Sequence, residues 1–181
     1  MAGKPDTNAV PATGVPSVMT GTQTTRATAQ SKIIGYYYIK AENSKKCAED
    51  PGWSKAKSRV LDQWSCLHQR NEWWDIESAG TWKRTKLVTI KNVYSGLCAA
   101  VSGGSRRNGT PVVQWKCSSD NSKWWITHVK SSGGYEWYNI HNLNTGKCLN
   151  VSGSSHTNGA HLIEYSCVNA ADEHFTFPHT P

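Results

Sequence analysis

VVQWKCSSDNSKWW, residues 112–125, is written three times in this chain, with LDQWSCLHQRNEWW ending at Trp74 and LIEYSCVNAADEHF at Phe175. Trp64, Trp115 and Tyr165 lie 51 and 50 residues apart, and Cys66, Cys117 and Cys167 keep the same intervals. A second series, Cys47, Cys98 and Cys148, precedes the first by 19 residues in every copy. Self-similarity at a fixed period of this size marks a repeat architecture in which each copy is one supersecondary unit.

The repeat selects the pairing of the cysteines. Six cysteines allow 15 connectivities, and the equal spacing points to Cys47–Cys66, Cys98–Cys117 and Cys148–Cys167. Each bridge closes a loop of about 20 residues, for roughly 3 kcal/mol in the loop-entropy model. The pairs lack the close Cys-x2-4-Cys spacing of a structural zinc site, so neither a metal nor another cofactor is expected. Disulfides point to a secreted or cell-surface protein. The first 20 residues contain no apolar stretch of signal-peptide length, and we read the numbering as that of a mature chain. Residues 1–32 are rich in Thr, Ala, Pro and Gly and cannot bury enough surface to order alone. They read as a linker, or as a segment that orders on a partner subunit. The folded domain is expected over residues 33–181, with no run long enough for a transmembrane helix.

Between the cysteines the pattern is all-β. YYYIKAEN, KLVTIKNV and WYNIHNLN each open a repeat with aromatic-rich or alternating character. Asn108-Gly109 and Asn158-Gly159 are turn signals ahead of PVVQW and AHLIEY. No stretch carries a capped helical period. Four short strands per repeat are expected. A propeller needs at least about four blades, so three copies suggest another closed threefold form.

The pattern Ser/Thr-Gly-x-Cys-Leu-x-Val-x-Gly, then Asn-Gly, then aromatic-x-Cys, resembles the ricin B-type lectins, also called family 13 carbohydrate-binding modules. NTGKCLNVSGSSHTNGAHLIEYSC is the best match and SGLCAAVSGGSRRNGTPVVQWKC a good one, while CAEDPGWSKAKSRVLDQWSC lacks the Asn-Gly turn. The family's Gln-x-Trp becomes EWW, KWW and EHF. The resemblance covers about residues 33–178 and implies a β-trefoil of three sub-repeats, α, β and γ.

It also implies where a sugar would sit. A ring lies against the apolar face of the sugar, and short polar groups grip its hydroxyls, because unpaired buried polar groups are costly. The family supplies an acid two residues after the first Cys, a polar residue four before the second, an aromatic two before it, and an Asn in the last strand. In α these positions hold Glu49, Asp62, Trp64 and Asn71. In γ they hold Asn150, Ile163, Tyr165 and Asp172. In β they hold Ala100, Val113, Trp115 and Ser122, a degenerate site. The expected order is γ, then α, then β.

Of the doubled aromatics, Trp74, Trp125 and Phe175 match the family's core position. Strand alternation then turns Trp73, Trp124 and His174 the other way, as a possible contact surface for a partner chain.

Net charge is +7, with six basic and one acidic residue over 87–134 but one and four over 135–181. Arg106 and Arg107 could attract sulfated or sialylated glycans or phospholipid headgroups, but no nucleic-acid motif accompanies them. No phosphate loop, zinc-protease motif or nucleophile elbow appears, so no enzyme is expected. The sequence therefore predicts a secreted module that binds galactose-type or related glycans, as a targeting subunit of a toxin or enzyme assembly. The alternative is a trefoil scaffold that binds no sugar and docks a partner protein through exposed aromatics and the N-terminal segment.

Overall fold

The computed structural model describes residues 36–181, so the expected tail, 1–32, lies outside the described residues. Each repeat contributes four strands, as the pattern predicts. The α repeat has β1 (Lys40–Ala41), β2 (Cys47–Glu49), β3 (Asp62–Trp64) and β4 (Trp74–Trp82). The β repeat has β5 (Thr85–Asn92), β6 (Cys98–Val101), β7 (Thr110–Trp115) and β8 (Lys123–Ser132). The γ repeat has β9 (Tyr135–Asn142), β10 (Cys148–Val151), β11 (Ala160–Tyr165) and β12 (Phe175–Thr176). The helices among the described residues are single 3-10 turns.

Every ladder is antiparallel. Within repeats the cysteine strands pair in one register: Cys47 opposite Trp64, Cys98 opposite Trp115 and Cys148 opposite Tyr165. The long pairs β4–β5 and β8–β9 carry the chain from one repeat to the next. The third such pair is made by the chain's two ends, with Ala41 opposite Phe175, and this closes the ring. The result is a β-trefoil, and the three disulfides form as the spacing predicts.

The core repeats with the sequence. Ile39, Ile90 and Ile140 form one buried triplet; Leu61, Val112 and Leu162 form another; Ala48, Ala99 and Leu149 a third. The large rings are Trp74, Trp124 and Phe175, exposed by 0, 0 and 1%. Here the structure corrects the sequence reading: Trp124, not Trp125, is the core ring of the β repeat. The hydrogen bonds confirm the equivalence, since Trp74 Nε1 donates to the Ala48 carbonyl and Trp124 Nε1 to the Ala99 carbonyl. Eight residues separate Cys66 from Trp74 and Cys167 from Phe175, but only seven separate Cys117 from Trp124. One missing residue ahead of a strand exchanges its two faces. The family's Gln-x-Trp position in this repeat is therefore Ser122-Lys123-Trp124.

Neighbouring repeats are clasped by side chains that face inward between the outward ones. Gln63 Nε2 donates to the carbonyls of Ser155 and Thr157, both at 2.9 Å. Gln114 Nε2 does the same to Ser54 and Ala56, at 2.8 and 2.9 Å. The third position is Glu164, fully buried, with Thr145 Oγ1 donating to its Oε2 and no partner on Oε1. The Asn-Gly turns work the same way: Asn158 Oδ1 accepts from the Ser65 N–H, and Asn108 Oδ1 from the Ser166 N–H. Each loop therefore lies beside the aromatic strand of another repeat.

Candidate carbohydrate-binding site

In the α repeat the cross-strand register places Glu49 directly opposite Asp62. Asp62 and Trp64 are two apart on β3 and share a face, while Gln63 between them turns inward. Asn71 arrives from the 3-10 turn before β4, and its Nδ2 donates to Glu49 Oε2 at 2.9 Å and to the Asp50 carbonyl at 3.2 Å. The three polar side chains are sunk in the protein, whereas the Trp64 ring is 38% exposed. Gly159 of the γ loop walls the site: a Cβ there would lie 3.9 Å from the Trp64 ring and 4.0 Å from Asp62 Oδ2. All four residues named from the α sequence thus meet in one place.

The carboxyls of this site are hard to ionise. Burial, then the neighbouring Asp62 and Glu72, push Glu49 up to about 7. Burial also raises Asp50 to about 7 and Asp62 to about 6, against the opposing pull of Arg59 on both. Two carboxyls held opposite each other in a partly dry site favour retaining a proton. The site can therefore offer both a donor and acceptors to a polyol near neutral pH.

The β copy has no such pair. Ala100 and Val113 face each other and both are buried. The Lys57 ammonium lies over the half-buried Trp115 ring, 5.9 Å from its centre. Ser122 does not reach this place. It is buried in its own turn, donating to the Ser119 carbonyl at 2.6 Å, and the residue in the Asn71 position is Asn121, which donates to the Val101 carbonyl. The missing residue ahead of Trp124 accounts for both shifts.

The γ copy is intermediate. Tyr165 is 41% exposed, and Asn150 lies opposite Ile163 on the neighbouring strand. Asp172 accepts a 2.7 Å bond from Ser154 Oγ. An amide and one carboxyl remain beside an open ring.

The expected partner surface does not form as predicted. Trp124 is core. His174 is 3% exposed, held by Glu42 at 2.7 Å and Asn169 at 3.0 Å. Trp73 is half-buried, stacked with Tyr36 and donating to the Tyr38 hydroxyl. Exposed large rings the sequence reading passed over are Trp53 in the α loop, and Trp82 and Tyr135 at the tips of the long hairpins. Pro51-Gly52 before Trp53 was the available turn signal. In the β loop Arg106 and Arg107 are exposed, and Lys147 braces it by donating to the Arg106 carbonyl and Asn108 Oδ1. No helix among the described residues is long and apolar enough to cross a membrane.

The model of the ricin-type beta-trefoil lectin domain-like family matches residues 23–115, 81–165 and 120–181, and so spans all three repeats. The chain belongs to this ricin-type lectin family. A search of curated proteins by sequence finds no match. Among solved structures it is similar to the designed threefold-symmetric protein ThreeFoil, with 24% identity, TM-score 0.71, and coverage of 80% of this chain and 98% of that one. It is similar to the exo-beta-1,3-galactanase 1,3Gal43A of Clostridium thermocellum, with 20% identity and TM-score 0.72, over 81% of this chain but 30% of the enzyme. The ricin B-like lectin of Macrolepiota procera, solved in complex with lactose, is 15% identical with TM-score 0.63, over 85% of this chain and 99% of that one. At these identities the likeness establishes the fold.

Proposed function

We propose that this ricin-type domain is a lectin without chemistry of its own, and that it binds galactose-type glycans chiefly through the α site. The observation that carries the reading is the open Trp64 ring standing beside the facing carboxyls of Glu49 and Asp62 and the Asn71 amide. The ring offers a flat apolar face, and the polar trio can satisfy adjacent hydroxyls in both senses. Convergence of the full set supports α as the leading site, with Tyr165, Asn150 and Asp172 of γ as a weaker second one and β inactive. The lactose bound to the Macrolepiota procera lectin supports the choice of sugar. Three disulfides fit an extracellular setting. Service to a larger secreted assembly is a narrower reading, supported by a domain of this fold within the galactanase chain.

A glycan array at low and high salt tests this. Recognition of neutral galactose-terminated glycans that survives high salt is the expected result. Binding confined to sulfated or sialylated glycans and abolished by salt would move the site to Arg106 and Arg107. Absence of binding throughout would leave the domain as a docking scaffold.

A further inference from the structure

The three disulfides are equivalent in the fold but not in their surroundings. The residue opposite the first cysteine of each pair is Lys40 in α, Lys91 in β and His141 in γ. Lys91 is turned away to Glu77 in an ion pair. The His141 ring instead turns onto its bridge, with Nδ1 3.6 Å from Cys148 Sγ and 3.4 Å from Cys167 Sγ. These three atoms lie within 4.8 Å of one another, the one such grouping of His, Cys, Asp and Glu among the described residues.

His141 is also fixed in place. Trp125 stacks on it at 4.9 Å between ring centres and 7° between planes, and Nε2 meets Thr127 Oγ1 at 2.9 Å. Such an outer hydrogen bond is what sets the ring orientation of a metal-binding histidine. In the tautomer whose Nε2–H donates to Thr127, the Nδ1 lone pair points at the sulfurs. Access differs too: Cys167 is exposed, while Cys66 and Cys117 are only half-exposed.

We propose that His141, Cys148 and Cys167 form a thiol-gated site for a soft divalent cation such as zinc. The gate opens when a dithiol attacks the exposed Cys167 sulfur. The Cys167–Cys148 bond breaks, a mixed disulfide forms, and the second thiol of the reagent closes its own ring, leaving two protein thiols and an oxidised reagent. Two protons leave as the metal binds. Zinc bonds of about 2.3 Å to sulfur and about 2.0–2.1 Å to nitrogen make a tetrahedral N···S edge of about 3.5 Å. The present separations already straddle that edge. The sulfurs need to part to about 3.8 Å, and water completes the fourth position.

The test uses the full chain and cobalt(II), whose thiolate charge-transfer band reports ligation directly. Brief treatment with dithiothreitol, alkylation and peptide mass mapping should label Cys148 and Cys167 before the other four cysteines. Unalkylated protein opened in the same way should take one equivalent of cobalt with the thiolate band, and zinc should displace it. His141→Lys restores the residue type of the other two repeats and should fold with its three bridges. Its cobalt affinity should fall at least tenfold. Equal opening of all three bridges, absence of the band, or undiminished binding by His141→Lys would each overturn the proposal.

Discussion

The α and β repeats share strands, register, disulfide and platform tryptophan, yet they present opposite surfaces to a ligand. In α the positions facing outward hold Glu49, Asp62 and Asn71 beside the open Trp64. In β they hold Ala100 and Val113, and Lys57 lies over Trp115. What holds the fold in both repeats points inward: the clasping glutamines Gln63 and Gln114, the core rings Trp74 and Trp124, and Ala48 and Ala99 on the first cysteine strands. Strand alternation separates the two sets of residues. The trefoil can therefore lose the polar set from one face of a strand and keep the fold, which depends on the other.

The largest effect expected from this separation is on stability. Trp124→Ala should cost about 3–5 kcal/mol, as for large-to-small changes in a packed core. Trp64→Ala, on the outward face, should cost less than about 1 kcal/mol. Denaturant titration of the two variants compares them, and equal losses would break the inward–outward division.

Acid should sharpen the contrast between repeats. Glu49, Asp50 and Asp62 are raised in the fold to about 7, 7 and 6, against about 4 in an unfolded chain. Their stabilising contribution is complete below the unfolded values and is lost as pH rises through the folded ones. The protein should gain at least about 1 kcal/mol, a few degrees of Tm, between pH 8 and pH 5. Glu49→Gln with Asp62→Asn should flatten that slope. A melting temperature that falls over the same interval would show that these carboxyls are ionised without strain.

A smaller effect belongs to the third of the inward positions, whose side chain bonds within its own repeat. Glu164 stands where Gln63 and Gln114 donate, and burial raises its carboxyl above the usual range. Glu164→Gln should raise stability by about 1 kcal/mol near pH 8, with less gain as falling pH protonates the carboxyl and removes the difference in charge. Differential calorimetry at the two pH values checks both the sign and the trend.

Legibility in the sequence followed spacing. The cysteine pairs and the four-strand repeat were readable because the copies keep one register from the first cysteine to the platform ring, while Glu49, Asp62, Trp64 and Asn71 were named together only through the family resemblance. Beyond the second cysteine the β repeat is one residue short, and that parity error sent Trp124 to the surface and Ser122 to the site. Aligning the copies from each end separately reveals it: Trp74 to Trp124 is 50 residues, whereas Cys66 to Cys117 is 51. Other features had no local signal. The place of Arg59 near Asp50 and Asp62, and that of Lys57 over Trp115, depend on how one loop folds across another repeat. So does the contact of His141 with its disulfide, because a histidine seven residues before a cysteine specifies no distance.

The most direct test of the central claim is a calorimetric titration with lactose of the unaltered protein, Trp64→Ala and Trp115→Ala. The predicted result is that the unaltered protein and Trp115→Ala bind alike, while Trp64→Ala loses the tighter binding event, an effect of at least tenfold. Lactose binding that survives unchanged in Trp64→Ala, or is lost in Trp115→Ala, would contradict the assignment of the α repeat as the site.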